Sequence, residues 1–394
     1  PAFTGVPFQE TGARSKLRRR LAEWLVNGYN WISKGADMLQ RLAPEPVITA
    51  EMLKLIASLD EFKGQWRAFK QLSRDQLSQL KKVATIESIG SSTRIEGSKL
   101  TDQEVAKLLS GLQIQAFQSR DEEEVAGYAA AMDMVFESFE HIPVTENHIR
   151  QLHRTLLQFS TKDARHRGDY KALDNHVAAF DANGKQLGIV FATASPFETP
   201  FCMKRLVEWT FEAERDGVLH PLLITGVFVV WFLAIHPFQD GNGRLSRVLT
   251  TLLLLRHGYS HVPYASLESV IEENKEFYYK ALRKTQATLR SERVEWEPWL
   301  LFFLRCLVRQ KDRLQSRIQI EQQRLQAGSP LAAAVLRLLD DAERLTLAEV
   351  VKATGANRNT LKVKMNDLVT RGLLQRHGRG RGVFYTRGKV EGTV

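Results

Sequence analysis

Residues 222–235 read LLITGVFVVWFLAI, apolar throughout except at Thr225 and Gly226. A run of this kind is too long for a usual strand and too short for the roughly 20 residues that cross a bilayer. It predicts a buried core helix, and the rest of the chain has to cover it. Residues 245–257 again have the composition of a helix, with Leu249, Leu252, Leu253 and Leu255 as packing positions. Between the two lies HPFQDGNGRLSR, His236 to Arg247, in which Asp240, Gly241, Asn242 and Gly243 favour a tight turn. The sequence therefore reads as buried helix, loop, helix start.

That loop is a place for phosphate. A helix start offers backbone N–H groups and the favourable end of the helix dipole to an anion. Arg244 and Arg247 are three residues apart, so they share a helix face and can fork onto successive phosphates. Asp240 is a hard oxygen ligand able to hold Mg²⁺ bridging the same phosphates. His236 alone in the run exchanges a proton near neutral pH, so it is placed as the base that takes the proton of an attacking hydroxyl. A group transfer from a nucleotide phosphate is the chemistry these residue types point to.

The run matches in full the signature H-x-F-x-[D/E]-G-N-G-R-x-x-R and is identified as that of the Fic domain family, with similarity extending over about residues 81–307. The resemblance implies a mostly α fold, a Fic-type helical core with a β-hairpin flap. It also implies transfer of AMP from ATP to a Ser, Thr or Tyr hydroxyl of a protein. By the same resemblance His236 is the general base and Phe238 the buried anchor of the loop. Asp240 holds the magnesium, while Gly241, Asn242 and Gly243 line the anion hole. Arg244 contacts the phosphates beyond the α position and Arg247 the γ-phosphate. Upstream, Ser92-Thr-Arg-Ile-Glu96-Gly97 resembles the family's inhibitory motif [S/T]-x-x-x-E-[G/N], which implies that Glu96 pairs with Arg247 in place of the γ-phosphate.

Other segments fit the same scheme. Residues 177–191 contain Asn183-Gly184 between strand-like arms, a hairpin signal, and in the family the corresponding flap pairs with a stretch of the target protein. Just before it, residues 168–171 resemble the family's G-x-Y-R stretch, with Lys171 where arginine is common. Residues 271–280 resemble the segment that encloses the nucleotide base, which makes Asn274, Tyr278 and Tyr279 candidate contacts, the rings as stacking surfaces. His153 and the cluster Arg165, His166 and Arg167 are read as structural or surface residues.

With 394 residues, the chain is expected to form several domains. Residues 1–80 are expected to form a helical arm containing a basic cluster (Arg14, Lys16, Arg18, Arg19 and Arg20), a helix pattern at 24–39 and a break at Pro44 and Pro46. The catalytic core follows at 81–308, then a connector helix at 309–330 and a C-terminal domain at 331–394. The two cysteines, Cys202 and Cys306, are expected to pack as small apolar groups, and a cytoplasmic setting with no membrane partner is expected. A homo-oligomer, in the simplest case a dimer, is expected.

The C-terminal domain reads as helices at 331–339, 346–354 and 359–370. A strand pair follows, made from Leu373-Leu374 and residues 383–385 and punctuated by Gly378, Gly380 and Gly382. This pattern resembles a winged helix-turn-helix. In that reading Asn357, Arg358, Asn359, Thr360 and Lys362 face a DNA major groove, and Arg379 and Arg381 belong to a cationic wing; a protein-docking module is the competing reading. The net charge of +10 suits an acidic partner of either kind. Two alternatives to AMP transfer remain from the sequence: a DNA-binding regulator whose core senses nucleotide, and hydrolytic removal of AMP with Glu96 positioning water. The intact His236 favours an enzyme.

Overall fold

The computed structural model describes residues 46–68, 72–111, 117–180, 186–291, 293–340 and 342–388. The basic cluster at Arg14–Arg20, the pattern at 24–39 and the Asn183-Gly184 turn lie outside the described residues, as do the side chains of 177–190 and of Arg381. The chain divides into two compact units, one of residues up to Gly64 with Lys82–Val308, the other of Gln65–Lys81 with Arg309–Val394.

The helices are α1 (Ala50–Ala68), α2 (Arg74–Ile95), α3 (Asp102–Ser110), α4 (Arg120–Ser138), α5 (Glu146–Leu156), α6 (Thr199–Asp216), α7 (Pro221–Ile235), α8 (Asn242–Arg256), α9 (Leu267–Glu273), α10 (Lys275–Thr288) and α11 (Glu297–Gln326). The apolar run is α7, and every residue from Leu222 to Ile235 is buried. Pro221 fits its first turn, where the missing N–H costs nothing, and the His220 ring caps it by accepting from the Leu222 N–H at 3.3 Å. The neighbouring helices α6 and α8 cover much of α7. Each buried Leu, Ile or Phe contributes about 1.5–3 kcal/mol, so this helix is a large contributor to the stability of the first unit.

Gly226, one of two interruptions in the apolar run, marks where α11 crosses. The Trp299 indole N–H donates to the Gly226 carbonyl at 2.8 Å, and a Cβ at 226 would stand 2.7 Å from Leu300 Cδ2. A methyl group there would force the buried Leu300 side chain to shift. Both cysteines are buried, and burial pushes the Cys202 thiol up to about 12. No helix among the described residues is long and apolar enough to cross a membrane.

Two expected boundaries fall inside helices. The helical arm is expected to end at residue 80, yet α2 continues through Lys81 and Lys82 to Ile95, directly into the Glu96 motif, because neither Pro nor Gly interrupts residues 74–89. The core-closing and connector segments are one helix, α11, for the same reason. Strands β1 (Val177–Phe180) and β2 (Gln186–Phe191) form an antiparallel hairpin in which Val177 faces Phe191 and Phe180 faces Gln186, with register irregularities after Val177 and Ala179.

In the second unit, α12 (Pro330–Arg337), α13 (Leu347–Thr354) and α14 (Arg358–Thr370) precede β3 (Leu374–His377) and β4 (Phe384–Arg387). Thr346 starts α13 with a reciprocal cap shared with Glu349, and Gly355 in the left-handed region ends it. Val335, Leu336, Val350, Leu361, Met365 and Leu368 form the core with Leu374 and Tyr385. Leu345 adds a bridge to the hairpin, exchanging both backbone hydrogen bonds with Tyr385 at 2.9 and 2.8 Å.

Candidate active site

A cavity of about 470 Å³ opens over the loop between α7 and α8. His236 ends α7 in the left-handed region (φ 54°, ψ 59°), the only non-glycine residue among those described with positive φ. That conformation costs about 1–2 kcal/mol for a residue with a Cβ, so surrounding contacts must hold it. They do. The His236 N–H donates to Phe232 O at 2.9 Å, and the Asn175 amide donates to the carbonyls of His236 and Phe238 at 3.2 and 2.6 Å. Lys171 completes the support. Its backbone N–H donates to Pro237 O, and its ammonium donates to Asn175 Oδ1, Thr193 Oγ1 and Ile235 O at 2.7, 3.0 and 3.0 Å. Burial among neutral acceptors pulls the Lys171 pKa down to about 8.

Phe238 is fully buried and stacks on His153, centroids 3.8 Å apart at 12°. The Gly168 N–H donates to His153 Nδ1 at 2.9 Å, which leaves Nε2 to carry the proton and donate to Asp240 O at 3.0 Å. Burial depresses the His153 pKa to about 4, so the ring is a neutral strut beneath the loop. Asn242 closes the loop: its Oδ1 accepts from the Phe238 N–H at 2.9 Å while its Nδ2 donates to Phe238 O at 2.6 Å. Gly241 caps α8 from the left-handed region without a side chain, and Gly241, Asn242, Gly243 and Arg244 all line the cavity.

The His236 Nδ1 lies 3.3 Å from Leu233 O, which makes it the donor and turns Nε2 into an acceptor at the cavity wall. Burial pulls its pKa down to about 4, so the ring is neutral at pH 7. Burial alone would raise the Asp240 pKa, but Arg244, the Gly241 N–H and Arg120 outweigh it and keep the carboxyl below its usual range. Arg120 donates to Asp240 Oδ2 at 2.8 Å and to Glu124 at 2.8 Å. Arg244 lies buried 3.1 Å from Glu124 Oε2, an ion pair without hydrogen-bond alignment, and its Nε and Nη1 have no acceptor. Donors buried in this way suit an anion.

Glu96 follows the end of α2 and faces this anion-ready surface. Arg247 Nη2 donates to Glu96 Oε1 at 2.8 Å, and Arg247 also donates from Nε to Ser92 Oγ at 2.8 Å and from Nη2 to Ser92 O at 3.0 Å. The Glu96 carboxylate lies so close over Gly243 that a Cβ there would collide with Oε1. Burial works against the Arg247 charge, yet Glu96 and its hydrogen bond raise its pKa above the ordinary value. Arg94 pins this end of α2 with two hydrogen bonds to Glu272, at 2.7 and 3.0 Å, and one to Asp102 at 2.9 Å.

The structure thus brings together Glu96, His236, Asp240, Gly241, Asn242, Gly243, Arg244, Arg247, Tyr278 and Tyr279 around one cavity. Asn274 is not in the lining; it lies at the junction of α9 and α10, where its amide donates to Val270 O at 2.8 Å. Tyr278 is buried against Trp299 and Phe302, whereas Tyr279 is half-buried with Arg283 over its ring. Arg167 is bound to Gln158 O and His166 to Asp163, away from the lining. Arg120, Glu124 and Asn175 also line the cavity, and neither they nor the support role of Lys171 follows from the sequence motifs. The acid-rich start of α4, with Arg120 and Glu124 one turn apart, was the only local sign.

Residues 143–254 match the family model described as Fic/DOC family, and 320–391 match that of a bacterial protein family of unknown function, DUF977. Proteins named protein adenylyltransferase Fic are similar over about half of this chain. The one from Drosophila mojavensis is 28% identical over 221 residues, 54% of this chain and 41% of its own; that of Drosophila virilis is 30% identical over 225 residues, 57% and 43%. The chain spans less than half the length of these curated relatives. Among solved structures, a Fic domain containing signaling protein from Bacteroides thetaiotaomicron superposes with a TM-score of 0.53 at 25% identity, over 71% of this chain and 96% of that one. A Fic family protein from Desulfovibrio desulfuricans shares the fold with a TM-score of 0.56 at 23% identity, over 89% and 100%. The buried helix, the His236 loop and the helix start that follows it are therefore those of a Fic/DOC-family domain.

Proposed function

We propose that this chain is a protein adenylyltransferase that moves AMP from ATP to a Ser, Thr or Tyr hydroxyl of a target protein, and that Glu96 holds it in an inhibited state. The observation that carries the reading is the Glu96 carboxylate, bound to Arg247 and seated over Gly243 where an anionic phosphate would be held. The site is built to take an anion, and an internal one is on it.

In the reaction, the target hydroxyl oxygen attacks the α-phosphorus. The new O–P bond forms as the bond to the bridging oxygen of pyrophosphate breaks, and the hydroxyl proton passes to His236 Nε2. A base with a pKa of about 4 is weak. A triphosphate beside the ring raises it towards neutrality, because nearby negative charge favours the imidazolium. The first N–H groups of α8 and the buried Arg244 donors receive the phosphates, and Arg247 turns to the γ-phosphate once Glu96 leaves.

Among the described residues no cluster of three or more metal-binding side chains exists. Mg²⁺ nonetheless fits, since it commonly takes one carboxylate and completes its shell with phosphate oxygens and water. Asp240 is the carboxylate in reach, and Mg²⁺ would supply neutralisation of phosphate charge. Phe191, Leu233, Leu282 and Tyr279 offer an apolar seat for the base. The β1–β2 hairpin presents strand edges to which a target segment can add, bringing its hydroxyl to His236. The second unit is a winged helix-turn-helix in this reading: α13 and α14 are the turn-linked helices, and the β3–β4 hairpin with the Leu345 bridge forms the wing sheet.

The test uses ATP labelled at the α or at the γ position with cell extract and magnesium. Label from the α position alone should appear on protein, rise with Glu96→Gly and vanish with His236→Ala. Label from the γ position on protein would point to phosphoryl transfer and overturn the proposal.

A further inference from the structure

We propose that the second unit binds double-stranded DNA, with α14 in the major groove and Asn359, Val363 and Asn366 at the base edges, favouring A·T-containing sites. The inference rests on the winged-helix reading and is independent of adenylyl transfer.

The argument starts from how α14 is buried. Leu361, Met365 and Leu368 face the core, so residues offset by half a turn, Asn359, Val363, Asn366 and Thr370, form the opposite face, and all are exposed. Two carboxamides flank one branched apolar side chain. A carboxamide can pair with both N6 and N7 of adenine, and an apolar side chain packs on the thymine methyl. The helix spans about 20 Å at 1.5 Å per residue, a length suited to lying in a major groove about 12 Å wide.

The cations with described side chains between residues 358 and 388 fall into two groups. Arg371 is bound to Asp367 at 3.0 Å, and Arg387 is bound to Leu336 O and Asp340. These hold the fold together. Arg358, Lys362, Lys364, Arg376 and Arg379 make no ion pair with any described residue, and Arg358, Lys362, Arg376 and Arg379 are exposed. The only acid on α14, Asp367, is already neutralised by Arg371. Arg358 and Lys362 flank the carboxamide face, while Arg376 and Arg379 sit on the hairpin, on either side of Gly378. A cationic margin around a face carrying hydrogen-bonding groups suits phosphates around base edges.

A protein partner fits this face less well. Val363, 67% exposed, is the only large apolar side chain exposed on the described residues of this unit. A protein interface needs a dry apolar centre, usually with aromatic anchors, and this face lacks one.

The experiment uses the full chain without nucleotide and a fluorescent 24-base-pair duplex, at salt between 50 and 200 mM. Sites selected from a random duplex library should be enriched in A·T pairs. Affinity should fall linearly on a log–log salt plot, and the double variant Arg376→Ala with Arg379→Ala should flatten that slope by about 2 units. The double variant Asn359→Ala with Asn366→Ala should keep the slope and lose about tenfold or more of the preference for the selected site. No duplex binding at 50 mM salt overturns the proposal. So does equal binding to polyglutamate, or selection of a protein from extract that competes on the same face without any duplex preference. Amide exchange at Leu345 and Tyr385 separates the readings: protection there keeps the winged fold standing even when DNA binding fails.

Discussion

Glu96→Gly removes one carboxylate from the mouth of the site, and the structure sets the size of the effect. Opposite charges about 4 Å apart attract by about 4 kcal/mol at an effective dielectric of about 20. Here the nitrogen–oxygen distance is 2.8 Å, the Arg247 side chain is buried and that of Glu96 is 33% exposed. Solvent screening and the cost of desolvating both charges take back about half, which leaves about 2 kcal/mol. If the γ-phosphate must displace Glu96, removing the carboxylate should tighten ATP binding about 30-fold. ADP has no γ-phosphate, so its affinity should change far less. Titration calorimetry with both nucleotides on wild type, Glu96→Gly and Glu96→Gln measures this difference, and Glu96→Gln, which keeps shape and a hydrogen bond, should fall between. Equal changes for ATP and ADP would refute the competition argument, because Glu96 would then act on the whole pocket rather than on the terminal phosphate.

Arg120→Ala frees Asp240 Oδ2 from a half-exposed ion pair worth up to about 1 kcal/mol, so Mn²⁺ binding, followed by electron paramagnetic resonance, should tighten up to about fivefold; weaker binding would show that Arg120 assists the metal. Asn242→Ala leaves the buried Phe238 N–H without an acceptor at a cost of about 1–3 kcal/mol, and calorimetry should show a Tm lowered by several degrees, with Asn242→Asp recovering little, because a carboxylate accepts from the Phe238 N–H but cannot donate to Phe238 O. His153 has a folded pKa of about 4 against about 6.5 when unfolded, so the unfolded chain binds a proton between those values that the native ring refuses. The His153 contribution to stability should therefore fall by about 3 kcal/mol as pH drops from 6.5 to 4, beside a like loss from His236, whose pKa is also about 4. Denaturant titrations should show that slope flattened in His153→Gln, and an unchanged slope would place the titration elsewhere.

Much of the site was legible in the sequence because its contacts are local. The Asn242 clamp on Phe238 spans four residues, and the Gly241 cap and the first turn of α8 follow from the turn chemistry at 240–243. Arg120, Asn175 and Lys171 were not legible as parts of the loop. Their partners lie about 60 to 120 residues away, and nothing in the spacing of one segment records what another presents to it. Asn274 is a candidate beside Tyr278 and Tyr279 because residues 271–280 resemble the segment that encloses the nucleotide base, but a helix junction turns the amide back onto Val270. On α14 the buried stripe was readable from its period, whereas Val363 emerged as part of the outer face only once the packing of Leu361, Met365 and Leu368 oriented the helix.

By itself the sequence determined that residues 222–235 must be buried as a helix and that residues 236–247 form a phosphate-ready turn at the start of the next. Both follow from local periodicity and from the few backbone conformations that Gly-Asn-Gly admits. Tertiary structure decided how that turn is held and occupied. It places the end of α2 so that Glu96 reaches Arg247 across 151 residues of sequence, and sets Arg120 on the carboxylate of Asp240. Such pairings depend on how whole helices pack, a property of the complete core rather than of any stretch of chain.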